Sequence, residues 1–105
     1  MNQDVNILVD INDSDLESPF SIVITYYDGD PKGNEPSSVL SYDLFHVYED
    51  PEEAFKDWGS IMPPQNKIDH LRARFDVVDI YVEILLYDAH NCEIAVTNFK
   101  WSDHA

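Results

Sequence analysis

The side chains able to do chemistry in this chain are numerous, but their spacing fits no catalytic or metal-binding pattern. Four histidines, His46, His70, His90 and His104, stand far apart, with no two at metal-ligand spacing. Cys92 follows His90 by two positions, yet a closed zinc site takes about four ligands and nothing nearby completes the set. From Asp10 the order Asp-Ile-Asn-Asp-Ser-Asp-Leu places oxygen side chains at alternate positions, like the opening of a calcium loop. An EF-hand loop requires glycine at its sixth position and a bidentate glutamate at its twelfth. Asp15 and Ser21 stand there instead, so the expectation is a solvated turn and no bound metal.

Catalysis finds no better footing. A nucleophilic serine or cysteine needs a positioned base, and no Gly-x-Ser-x-Gly occurs. The stretch 28–36 holds Gly29 and Gly33 but lacks the Gly-x-x-x-x-Gly-Lys order of a phosphate loop. Its acids would repel an anion, and Lys32 is its one base. Close carboxylate pairs are expected by chance in so acidic a chain, and glycosidase chemistry also demands a substrate cleft. The expectation is a protein that is not an enzyme and carries no cofactor.

What remains is the acids themselves. Twenty-one Asp and Glu face six Lys and Arg in 105 residues, a formal net charge of -15. Such an imbalance repels itself in the compact state. The acids come in groups: Asp10, Asp13, Asp15 and Glu17; Asp28, Asp30 and Glu35; Glu49, Asp50, Glu52, Glu53 and Asp57; Asp76, Asp79 and Glu83. Carboxylates three or four residues apart on a helix stand roughly 5–6 Å from one another, near the spacing of successive phosphates. A surface of that kind can occupy a basic nucleic-acid-binding groove, as phage counter-defence proteins of the anti-CRISPR and anti-restriction kinds do. The analogy is one of charge and size.

The expected partner is therefore a basic protein, a nucleic-acid-binding protein or nuclease. The expected contact residues are Glu49, Asp50, Glu52, Glu53 and Asp57, with the turn carrying Asp10, Asp13, Asp15 and Glu17 second. The alternatives are an immunity protein that neutralises a basic toxin or nuclease, and an acidic structural or assembly subunit. Direct binding of nucleic acid is disfavoured, because phosphates must be neutralised, and so is an anionic lipid surface. Four lysines against two arginines, with many isoleucines, weigh against salt adaptation as the cause of the charge. Lys67, Arg72 and Arg74 fall within eight residues and would form the one non-acidic face. Tyr26, Tyr27, Tyr42, Tyr48, Trp58 and Trp101 are candidate anchors, since Tyr and Trp dominate interface hot spots; core packing is the competing role for each.

These residues need a scaffold. At 105 residues and 44% apolar the chain suits one folded domain, 1–105. The polar start, Met1-Asn2-Gln3-Asp4, lacks the form of a secretory signal, no apolar run approaches membrane-spanning length, and a single cysteine allows no internal disulfide. A cytoplasmic protein is the expectation. Alternation predicts strands over 5–11, 20–27, 39–48, 79–87 and 92–101, the last with Ile94 and Val96 on one face and a slip before Phe99 and Trp101. Turn residues fill 12–18, 28–36 and 88–91. Asp50 as N-cap, Pro51 at the first helical position, and Glu52 and Glu53 in the first turn mark a helix start. Phe55, Trp58 and Met62 would share its inner face, with Gly59 near its end and Pro63-Pro64 beyond. Ile68, Leu71, Phe75 and Val78 favour a second helix over 66–76; a strand using Ile68, Leu71, Ala73 and Phe75 is the alternative. The pattern predicts an α+β fold with a mainly antiparallel sheet of about five strands and one or two helices.

Overall fold

The computed structural model describes residues 3–7, 16–34 and 36–101, and for 3–7 it describes the backbone alone. The elements in chain order are β1 (Gln3–Ile7), β2 (Phe20–Tyr27), β3 (Val39–Tyr48), α1 (Pro51–Trp58), α2 (Gln65–Phe75), β4 (Ile80–Tyr87) and β5 (Glu93–Trp101). They form the expected α+β arrangement. The sheet is antiparallel at every pairing, in the order β1-β5-β4-β2-β3. Two hairpins, β2–β3 and β4–β5, are joined at the centre by β2 and β4.

Strict alternation in β2 and β4 decides where the core sits. Phe20, Ile22, Ile24 and Tyr26 point to one face, as do Ile80, Val82, Ile84 and Leu86, and all are fully buried. The register stacks Ile22 on Leu86, Ile24 on Ile84 and Tyr26 on Val82. Ala95, Thr97 and Phe99 extend the layer onto β5. Ala54 and Trp58 from α1 and Ile68 and Leu71 from α2 cover it. Trp58 Nε1 also donates to the carbonyl oxygen of Ile84 at 3.0 Å, which pins α1 to the central strand.

Local chemistry sets the helix ends. Asp50 is extended (φ -100°, ψ 122°) and its Oδ1 accepts from the Glu52 N–H at 3.1 Å, capping α1. At the other end the Gly59 N–H returns to the Phe55 carbonyl at 3.0 Å, and Pro63-Pro64 prevents continuation. Met62, expected on the inner face of this helix, lies beyond its end and is exposed. The helix, rather than the strand, forms at 65–75. It closes on Asp76 in the left-handed region (φ 53°), a conformation that short polar side chains tolerate. Neither helix is long and apolar enough to cross a membrane.

Two expected strands are adjusted. β1 begins at Gln3 and runs to Ile7, and the remainder of the predicted 5–11 strand lies outside the described residues. In β5 the irregularity comes earlier than expected. A register shift beside Tyr87 lets Ile94 and Ala95 both bury, after which Thr97 and Phe99 face the core and Val96 the other side. A bulge does this by opposing two residues to one.

The Asp50 cap yields a direct test. Asp50→Ala should lower stability by about 1 kcal/mol in urea unfolding. Asp50→Asn, which keeps the accepting oxygen, should stay within a few tenths of a kcal/mol of the parent. Equal loss in both variants would show that charge, not the cap, is what Asp50 contributes.

Candidate partner-binding surface

Strand directions gather the acids. The start of β2, the ends of β3 and β4 and the start of β5 lie at one end of the sheet, with Phe20 opposite Tyr48, Ser21 opposite Tyr87 and Tyr87 opposite Glu93. Glu49, Asp50, Glu52 and Glu53 leave β3 and open α1 at this end, and all four side chains are exposed. Glu17, just before β2, and Glu93 join them and are exposed as well. Among the described residues no ion pair engages Glu49, Glu52, Glu53 or Glu93. The positive end of the α1 dipole tolerates such a cluster.

The cations sit elsewhere. Lys32 lies in the loop after β2, and Lys100 near the end of β5 is held by Asp79 at 3.2 Å. Arg72 and Arg74 occupy the last turn of α2, from which the chain enters β4 at the far end. Lys67 meets Asp43 over mid-sheet at 3.4 Å. Lys56, on α1, is the one Lys or Arg close to the acidic cluster. Among the described residues the charge is thus polarised along the strands.

Two expected contact residues change role. Asp57 is half-buried, and its Oδ2 accepts from the Tyr48 hydroxyl at 2.6 Å. It ties α1 to the end of β3 and is not a free carboxylate. Glu17 binds the His90 ring at 2.9 Å, and its carbonyl oxygen accepts from the Ala89 N–H at 3.0 Å, so it anchors the 88–91 turn. Asp10, Asp13 and Asp15 lie outside the described residues. Of the aromatic candidates, Tyr26, Tyr48 and Trp58 are core residues, Tyr27 and Trp101 are half-buried, and Tyr42 is widely exposed.

Several other acids shape loops. Asp88 Oδ1 accepts from the N–H groups of His90 and Cys92 at 2.9 and 3.0 Å. Asp28 Oδ1 accepts from the Ser38 N–H at 2.7 Å and Asp30 Oδ1 from the Lys32 N–H at 2.9 Å. Asp28, Asp30 and Asp79 also border a cleft of about 550 Å³ against Val77, Val78 and Tyr81, at the end away from the acidic cluster. Among the described residues no three His, Cys, Asp or Glu side chains gather in a way that would hold a metal ion.

The face of the sheet turned away from the helices carries a feature that the charge pattern hides. Glu83 stands at its centre, accepting from the Tyr27 hydroxyl at 3.2 Å. With the Asn98 amide oriented to satisfy both neighbours, its Nδ2 donates to Glu83 Oε2 at 2.9 Å and its Oδ1 accepts from Lys32 Nζ at 3.3 Å. Burial pushes the Glu83 carboxyl above its ordinary range, against the lowering by the Tyr27 bond and Lys32. One row away, Leu44, Val23, Leu85 and Val96 line up across four strands. Towards β3 this surface is open: Val39, Tyr42, Leu44 and Val47 are all substantially exposed. Sequence reading missed this strip because alternation shows that a strand has two faces, not which one is covered.

Comparison of the chain with protein-family models, curated proteins and solved structures found no match.

Two pH effects follow from these contacts. Burial, then Asp57 and Glu53, pushes the Tyr48 hydroxyl up to about 12 from its ordinary 10. Burial and Glu83 do the same for Tyr27. A folded-state value above the unfolded one gives stability that is complete below pH 10 and lost as pH rises through about 12. Urea midpoints should fall steeply across that window. Tyr48→Phe should cost about 1 kcal/mol at pH 7, through the lost bond to Asp57, and should shrink the alkaline loss. For Glu83 the sign is the same in a lower window: its charged form burdens the folded state at neutral pH. Glu83→Gln should therefore be more stable than the parent at pH 7, with the difference closing as pH falls through the carboxylate range. A Glu83→Gln variant less stable at pH 7 would mean that the Lys32 side of the network outweighs burial.

Proposed function

We propose that this protein acts by binding: its acidic end occupies the positively charged nucleic-acid-binding site of a target protein and blocks it stoichiometrically. The observation that carries this reading is the segregation of charge. Exposed carboxylates at Glu49, Glu52, Glu53 and Glu93, which among the described residues meet no ion-pair partner, collect at one end with Asp50 among them, while most of the cations sit elsewhere. Charge needed only for solubility has no reason to polarise. A field concentrated at one end steers encounter with a basic cleft. The role fits a counter-defence inhibitor of the anti-CRISPR or anti-restriction kind. No cofactor and no catalytic residue enter this mechanism, and the cytoplasm, where such targets work, is the proposed location.

The test is affinity capture on the immobilised protein, with elution by salt and competition by duplex DNA or RNA. A nucleic-acid-binding protein that salt releases and nucleic acid displaces supports the reading. A single partner that nucleic acid cannot displace favours the immunity-type alternative. The variant Glu49→Gln/Glu52→Gln/Glu53→Gln should weaken capture by at least about tenfold and flatten its salt dependence, with the circular dichroism unchanged. Asp57 is left intact because it supports Tyr48. Undiminished capture by the folded triple variant would remove this end of the molecule from the interface.

A further inference from the structure

Strand β3 is one edge of the sheet, and among the described residues it pairs with β2 alone. Five large apolar side chains on its ten residues are exposed, led by Tyr42 at 72% and Leu44 at 61%. Val39, Tyr42, Leu44 and Val47 stand opposite Tyr27, Thr25, Val23 and Ser21, the β2 residues that face away from the helices. They form one strip on the open face. Its charge is minimal, since Asp43 looks to the helix side and meets Lys67. An apolar strip of this kind marks an interaction site.

The backbone limits how it is used. Register shifts at Ile22/Val23 and Tyr26/Tyr27 bulge the strand twice. Bulges hinder addition of a further strand to an edge. The side-chain face, not the backbone edge, is the available contact.

Charge then selects the occupant. Beyond Val47 the chain runs straight into Glu49, Asp50, Glu52 and Glu53. At the other end the Ser38 N–H is held by Asp28, with Asp30 in the same loop. The Glu49–Glu53 end of the strip is thus strongly acidic, while in the loop at its other end Lys32 accompanies Asp28 and Asp30. A second copy laid on it in the same direction sets the Glu49–Glu53 carboxylates against their own counterparts. We infer that the open face of β3 is the apolar anchor of the docking surface, and that its occupant is a segment of a basic protein with aliphatic or aromatic side chains at its centre and Lys or Arg at the end that meets Glu49–Glu53. The inference rests on the acidic end being the partner-binding end. It adds the anchor, and it gives the partner an apolar middle that mimicry of a phosphate backbone alone would not require.

The strip spans about 30 Å at strand rise, so an extended dodecapeptide of up to about 40 Å covers it. The experiment is selection from a random dodecapeptide display library on the full-length protein. Enriched peptides are then titrated against the parent, Tyr42→Ser, Leu44→Ser and the Glu49→Gln/Glu52→Gln/Glu53→Gln variant, with sedimentation equilibrium on each protein alone. The expected peptides have apolar centres with Lys or Arg at one end. Leu44→Ser and Tyr42→Ser should each weaken them by about tenfold or more, and the triple variant should weaken them and remove their salt dependence. Basic peptides that ignore both β3 variants but need the three glutamates would overturn the anchor and leave the acidic-end reading standing. Peptides that need β3 but contain no Lys or Arg and ignore the glutamates would overturn both. A dimer of the parent protein that Leu44→Ser dissociates would make a second copy the occupant and overturn the inference, as would a selection that enriches nothing. Both serine substitutions replace exposed side chains, and circular dichroism checks the fold of each.

Discussion

Everything in this molecule hangs on the central β2–β4 ladder. Ile22 on Leu86, Ile24 on Ile84 and Tyr26 on Val82 supply the layer onto which both helices close. α1 is fastened to it twice, by Ala54 and Trp58 in the core and by the indole bond to Ile84. This layer must outweigh the self-repulsion of a net charge of -15. It does so by keeping nearly all charge off the covered face. The exceptions are arranged: Asp43 reaches that side only where Lys67 meets it, and Lys67 in turn lies 5.6 Å over the Tyr26 ring.

The acids divide by what they hold. Asp28, Asp30, Asp50 and Asp88 each accept a backbone N–H in a loop or cap, and Asp57 accepts a phenol. These carboxylates satisfy donors that would otherwise face water or go unpaired. Asp79 is matched by Lys100. Among the described residues the side chains of Glu49, Glu52, Glu53 and Glu93 make no such contact, and three of the four surround the start of α1. Raw composition counts every acid alike, so it overstates the free charge and says nothing of its position. Position came only with the strand directions.

Much of the scaffold was legible from residue types. β2 and β3 were readable to the residue, because dense β-formers are closed off by Pro19, the 28–36 turn residues and Asp50-Pro51. The α1 start was equally plain, since cap, proline and first-turn acids agree. Legibility failed where tertiary packing decides. Met62 continues the helical spacing, but the Gly59 turn and the paired prolines end the helix first. Ile94 and Val96 alternate in sequence, yet a bulge at Tyr87 sends them to different sides. Asp57 reads as one more surface acid, and only the return of Tyr48 beside it gives it a partner. Tyr26, Tyr42 and Tyr48 look alike as letters; the covered face claims two and leaves Tyr42 in water.

The proximity of the acidic cluster to the open strip has a physical logic on the proposed reading. Long-range charge raises the rate of encounter with a basic target but is screened by salt and holds poorly at contact. Apolar burial has no reach, yet it governs dissociation, where most affinity differences lie. A chain that carried only the carboxylates would bind quickly and let go. A chain that exposed Tyr42, Leu44, Phe45 and Val47 without them would tend to associate with itself. Running the strip into Glu49–Glu53 bears on both requirements: the same carboxylates that draw a basic partner to β3 oppose a second copy laid alongside in the same direction. On this view the excess charge is a selectivity device for an adhesive strand, and the bulges of β3 complete it by denying the backbone edge to any strand the charge fails to turn away.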